Sequence, residues 1–167
     1  AKNALEQVDI PETESLGSEK KYLLSQLALI QGEPNLAAEH LSGWENFDED
    51  WQYFALYNRG VAQSRDQKKS EAIKTFETVS AATLEGPLNS ALLDRANLTA
   101  GIYALKDKHS KKAADFFRQV RLHQGASNKA LLGLGWALND QKKYERALVT
   151  FEALSQRDFS HPAVQEA

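Results

Sequence analysis

Residues 57–79 read YNRGVAQSRDQKKSEAIKTFETV, and residues 132–154 read LGLGWALNDQKKYERALVTFEAL. One ladder runs through both. In the first, Gly60 is followed twelve residues on by Ala72, then by Phe76 and Val79; in the second the series is Gly135, Ala147, Phe151 and Leu154. A third copy lies between them at Gly101, Ala113, Phe117 and Val120. Identical internal spacing at three places marks a repeat, and a repeat outranks any reading of the chain as one irregular domain.

The ladder extends toward the N-terminus in weaker form. Ser25, Ala37, Leu41 and Trp44 keep the spacing with Ser in the small position, and Ala1, Leu5 and Val8 read as the tail of a further copy. Successive alanines at 1, 37, 72, 113 and 147 are then 36, 35, 41 and 34 residues apart. The long interval contains SAATLEGPLNS, residues 80–90, where Gly86-Pro87 breaks a helix and extra residues can be looped out.

Apolar and small residues recur at steps of three and four, so each copy resolves into two helices. First helices are expected near 18–31, 51–65, 88–106 and 127–140, and second helices near 34–44, 69–82, 110–122 and 143–155. Gly32 before Pro34, Gly86-Pro87, Gly125 before Ser127 and Ser160 before Pro162 supply the breaks. A glycine in mid-helix costs roughly 1 kcal/mol against alanine, so Gly60, Gly101 and Gly135 imply a neighbour that needs the space. Ala72, Ala113 and Ala147 are the expected facing contacts. Phe76, Phe117 and Phe151 would fill the gap one turn on and reach toward the next unit.

A unit of about 34 residues, a small residue in the first helix, and Ala then an aromatic in the second resemble the tetratricopeptide repeat family. The resemblance covers nearly the whole chain. It implies an all-α fold: a right-handed superhelical solenoid of antiparallel helix pairs, with about four full repeats plus partial repeats at both ends. The chain is then one solenoid segment, 1–167, with a partial repeat at 1–9, repeats at about 18–46, 51–83, 88–122 and 127–157, and a further repeat starting at 160–167. Most units lack the family's usual terminal proline. The ends read as cut through a repeat, and with no Met anywhere the sequence reads as part of a larger multi-repeat protein.

Composition narrows the function classes. The 20 Lys and Arg against 23 Asp and Glu leave a net charge of -3, without the basic excess of a nucleic-acid binder. Zero cysteines exclude disulfides, thiolate metal sites and thiol nucleophiles. No apolar run is long enough for direct membrane insertion. The four histidines, His40, His109, His123 and His161, share no metal-ligand spacing, so no metal or other cofactor is expected. Gly133 and Gly135 lie in a helical pattern without a preceding strand and read as packing, not as a phosphate cradle.

Glu45, Asp48, Glu49 and Asp50 crowd one loop. An acid–base pair or a calcium loop would need a pocket or twelve-residue ligand spacing, and a solvated loop capping the next helix fits better. Turns inside units are basic: Arg65, Lys68 and Lys69; Lys106, Lys108, Lys111 and Lys112; Lys142 and Lys143. Stacking would bring them to one edge, where helix-end electrostatics and solubility explain them as readily as an anionic partner does. No catalytic residue is assigned and no enzyme activity is expected.

In the family the first helices line the concave surface. By that resemblance the partner-binding groove comprises Tyr22, Gln26, Tyr57, Asn58, Val61, Arg65, Leu98, Ile102, Leu132 and Trp136. Members that clamp the terminal carboxylate of a chaperone tail present Lys, Arg and Asn there, and only Asn58, Arg65, Arg95 and Lys106 could substitute, which disfavours that activity. An apolar groove suits a protein or peptide partner, although the same side chains could instead pack between adjacent helices. The expectation is a protein–protein interaction scaffold; the alternative is a regulatory or targeting domain of a larger enzyme or envelope assembly. Exposed ends could also pair in end-to-end self-association. The absence of Cys and Met, with the similarity to bacterial repeat proteins of the cell envelope, favours a periplasmic setting over the cytoplasm.

Overall fold

The computed structural model describes residues 15–122, 126–157 and 162–165, and among these the regular structure is helical. The elements are α1 (Ser15–Gln31), α2 (Pro34–His40), a 3-10 turn (Trp44–Asn46), α3 (Glu49–Arg65), α4 (Lys69–Ser80), α5 (Pro87–Lys106), α6 (Ser110–Gln119), α7 (Ser127–Asp140), α8 (Tyr144–Ser155) and α9 (Pro162–Gln165). Contacts divide the chain into two compact units, Ala1–Val79 and Ser80–Ala167. The expected partial repeat at 1–9, His123, Gly125 and His161 lie outside the described residues.

Eight helices fall where the ladder places them, as four consecutive hairpins. The second helix of the first hairpin departs from expectation, ending at His40 instead of running on to residue 44. Gly43 takes a left-handed conformation (φ 73°) and Trp44–Asn46 forms a single 3-10 turn, which drops Phe47 into a buried cluster with Leu41 and Ala55. The acidic loop that follows does the capping expected of it: the Asp48 side chain accepts a hydrogen bond from the Asp50 backbone N–H at the start of α3.

One device closes every hairpin. The backbone N–H groups of Glu33, Lys68, His109 and Lys143 donate to the carbonyls of Ala28, Gln63, Ala104 and Leu138 at 2.9, 2.9, 2.8 and 3.0 Å. Each donor follows a residue of positive φ: Gly32 (80°), Gln67 (63°), Lys108 (60°) or Lys142 (60°). This is the six-to-one helix terminus that glycine normally supplies. In three hairpins a Gln or Lys holds the left-handed conformation instead, at a cost of roughly 1–2 kcal/mol in an L-residue. Gly32→Ala is therefore expected to lower stability by about 1 kcal/mol, although no atom lies near its added Cβ. Urea denaturation measures it, and an unchanged midpoint would contradict the reading.

The glycines are notches. A Cβ on Gly60 would lie 2.7 Å from the Phe76 ring, on Gly101 2.6 Å from Phe117, and on Gly135 2.3 Å from Phe151. Gly133 joins them, since its Cβ would stand 2.4 Å from the Cζ of the same Phe117 ring. Phe117 of α6 is thus held between α5 of its own hairpin and α7 of the next. Ala72, Ala113 and Ala147 are all buried, one turn before their phenylalanines. In the first hairpin Ser25 takes the glycine's place.

Polar bonds tie the hairpins further. Ser18 accepts from the Asp48 N–H at 2.8 Å. In the C-terminal unit, buried Asp94 of α5 accepts from the Arg121 backbone N–H at 3.0 Å and from its Nε at 2.8 Å. The guanidinium of Arg157, beyond α8, donates to Ser127 Oγ, Asn128 Oδ1 and the Leu122 carbonyl.

Candidate functional site

Each unit presents its own row of first-helix side chains. In the N-terminal unit the row runs along α1 and α3. Tyr22 and Gln26 are one turn apart, and the Gln26 amide donates to the Tyr22 hydroxyl at 2.6 Å, fixing both side chains. The Tyr22 ring leans on Trp51 (centroids 5.2 Å apart) and Phe54 (6.1 Å), while Tyr57 rests on Phe76 at 5.5 Å. The rings of Tyr22, Trp51, Phe54 and Tyr57 are half-buried, and Phe76 beneath Tyr57 is fully buried. Val61 is also half-buried, against the cluster of Ala28, Leu29, Ala37 and Ala62.

Two of the expected groove residues are engaged inside the fold. Asn58 is 5% exposed and its amide donates to Ser25 Oγ at 3.2 Å, joining α3 to α1. Arg65 donates to the Leu29 carbonyl and so stabilises the C-terminal end of α1. Both bonds span more than thirty residues, and spacing within one helix gives no sign of them. The Asn58 and Arg65 side chains therefore position α1 on α3, whereas Tyr22, Gln26, Tyr57 and Val61 are half-buried along the same two helices.

In the C-terminal unit the row runs along α5 and α7, which pack against each other as well as against α6. Leu98 and Ile102 sit one turn apart on α5, with Leu132 and Trp136 at the same spacing on α7, and Leu98, Ile102 and Leu132 are half-buried. Trp136 is 44% exposed while its ring meets Phe151 edge-on at 5.7 Å. Side-on support of a large apolar ring by an anchored phenylalanine holds it in place without burying it. Apolar side chains fixed in this way lose little freedom when a partner covers them.

The remaining sequence candidates are dispersed. The turn cations are exposed or half-buried, and several are occupied locally: Lys68 Nζ lies 2.6 Å from Asp66, whose hydrogen bond and charge hold the lysine pKa above its ordinary value. Lys143 donates to Gln141, and His109 lies 3.2 Å from Asp107. Among the described residues no group of three or more His, Asp or Glu could hold a metal ion, and no helix is long and apolar enough to cross a membrane. Two features escaped the sequence reading. Asp94 lies seven residues before Gly101, and a charge on that buried face has to be paired; the left-handed Gln67, Lys108 and Lys142 each stand five residues before the ladder alanine, as Gly32 does.

Stacked hairpins with glycine notches, left-handed turns and apolar first-helix faces define the all-α helical-repeat class. The tetratricopeptide repeat family model matches residues 54–81 and 129–158, and the chain carries tetratricopeptide repeats at those positions. They fall on the two stretches that keep the ladder best. Among solved structures the chain is similar to MamA from Desulfovibrio magneticus RS-1, residues 41 to the end, at TM-score 0.65 and 20% identity, covering 83% of this chain and 73% of that one. A double mutant of MamA gives the same figures. The apo form of RapI aligns at TM-score 0.69 and 14% identity, covering 92% of this chain and 59% of that one. Among curated proteins nothing matches. The family match and the similar structures agree on an all-α helical-repeat fold.

Proposed function

We propose that the chain holds a polypeptide partner on its first-helix faces, with Tyr22, Gln26, Tyr57 and Val61 as the contact row of one unit and Leu98, Ile102, Leu132 and Trp136 as that of the other. The observation carrying this reading is Trp136, a tryptophan 44% exposed yet braced by Phe151, in line with three half-buried aliphatic side chains. Exposed, rigid aromatic anchors surrounded by smaller apolar groups are the usual centres of binding energy in polypeptide recognition. A place for the chain within a larger multi-repeat protein, in the periplasm or cell envelope of a bacterium, fits the same reading.

A displayed library of random peptides tests it. Selected peptides should bind the Trp136→Ala variant at least about tenfold more weakly, in line with the roughly 2 kcal/mol typical of a hot-spot aromatic. The variant should lose only about 1 kcal/mol of folding stability, because the ring is half in water and its main contact is one edge-on pair. If selected peptides bind Trp136→Ala and the unaltered chain alike, the proposed row is not the contact surface.

A further inference from the structure

The contact row of the C-terminal unit carries charge as well as apolar surface, and the charge has one sign. On α5, Arg95 lies three residues before Leu98, and Lys106 lies four residues after Ile102. On α7, Lys129 lies three residues before Leu132 and seven before Trp136. Steps of three, four and seven keep these cations on the helix faces of the apolar side chains they flank. All three are exposed.

Their lack of carboxylate partners among the described residues sets them apart. Arg118 pairs with Asp115 at 2.8 Å, and Arg121 with Asp94 at 2.7 Å, so the arginines of α6 and its exit are occupied within the fold. Neither Arg95 nor Lys129 has a carboxylate within ion-pair distance among the described residues, and Lys106 Nζ lies 5.9 Å over the ring of Tyr103 on its own helix. The acidic residues of α5, α7 and their C-terminal caps are Asp94, buried and paired with Arg121, and Asp107 and Asp140 at the helix ends. In the N-terminal unit the corresponding cation, Arg65, is bound to the Leu29 carbonyl.

We propose that the first-helix face of the C-terminal unit, Arg95, Lys106 and Lys129 around Leu98, Ile102, Leu132 and Trp136, takes a polypeptide segment whose apolar anchors are flanked by Asp or Glu side chains. The inference rests on the contact row argued above and adds the chemistry of its occupant. Positive charge around an apolar patch steers an acidic segment to it and rejects a basic one, because a misplaced like charge would meet cations that no carboxylate of the described residues pairs with. The chain as a whole is acidic, at net -3, so a segment attracted here responds to the local cations and not to overall charge.

Three synthetic peptides test it by calorimetric titration of the full chain: one with Leu and Trp anchors flanked by Glu, one with the same anchors flanked by Lys, and one with Glu but no apolar anchor. The first should bind on the order of tenfold more tightly than the second. The preference should fade at high salt and invert in an Arg95→Glu/Lys129→Glu variant. Amidating the peptide's C-terminus should leave affinity unchanged, because side chains and not a terminal carboxylate carry the charge. Equal binding of the first two peptides, or a preference that survives the double variant, overturns the charge inference; if Trp136→Ala then still weakens both, the contact row stands. Binding of the anchorless peptide as tight as the first would mean a general anion surface and overturn the proposal. No binding of any peptide, with no effect of Trp136→Ala, would remove the contact row as well.

Discussion

Phe117→Ala is expected to lower the stability of the C-terminal unit by about 3–5 kcal/mol, the range for truncating a buried aromatic that cannot be replaced by collapse of its surroundings. Phe117 is 3% exposed and its ring fills two notches at once, that of Gly101 on α5 and that of Gly133 on α7. Glycines offer no side chain that could move into the void, so the cavity persists. A domain of ordinary stability holds about 5–15 kcal/mol in total, so a loss this large takes much of it. Thermal and urea unfolding followed by circular dichroism measure it.

The notch also makes a prediction of sign. In the unaltered chain Gly101→Ala should destabilise, because a Cβ 2.6 Å from the Phe117 ring forces a repacking worth about 1–3 kcal/mol. In the Phe117→Ala background the same change should stabilise by about 1 kcal/mol, since only helix propensity then acts. Additive effects of the two substitutions would mean the ring and the glycine are not in contact.

Asp94→Ala is the second large effect, at about 2–3 kcal/mol. The carboxylate is 3% exposed and accepts from both the backbone N–H and the guanidinium of Arg121, so it ties α5 to the residue that leaves α6. Removing it orphans a backbone donor and releases the arginine. The loss falls short of that for a fully buried ion pair because the Arg121 side chain is 44% exposed and recovers hydration. Asp94→Asn keeps an oxygen for the Arg121 N–H and should cost about 1 kcal/mol. Equal losses for Ala and Asn would assign the effect to charge alone.

The parts of the fold legible in sequence are those that repeat. Glycine, alanine and phenylalanine at fixed offsets report a contact between two helices of one hairpin, and three copies of that contact with a weaker fourth are enough to place eight helices. The early end of α2 was hidden because Leu41 and Trp44 keep the apolar step while Gly43 turns the backbone left-handed between them. The turns were hidden for a related reason: Gln67, Lys108 and Lys142 do a glycine's work with side chains that suggest only solvation.

At the candidate site the row of first-helix residues follows from helical spacing, but what each side chain bonds to across helices does not. Asn58 and Arg65 resemble ligand-facing polar groups until Ser25 and the Leu29 carbonyl are seen to accept from them. The reverse holds for Arg95, which stands beside the paired Asp94 in the sequence and has no such partner among the described residues.

The central claim is that a polypeptide is held on first-helix faces, and the most direct measurement is a titration of isotopically labelled chain with a library-selected peptide, followed by NMR. The expected result is a set of shifts concentrated at Leu98, Ile102, Leu132 and Trp136 in the C-terminal unit, at Tyr22 and Tyr57 in the other, or at both. Shifts confined to the exposed second-helix residues Leu148 and Val149 would contradict it.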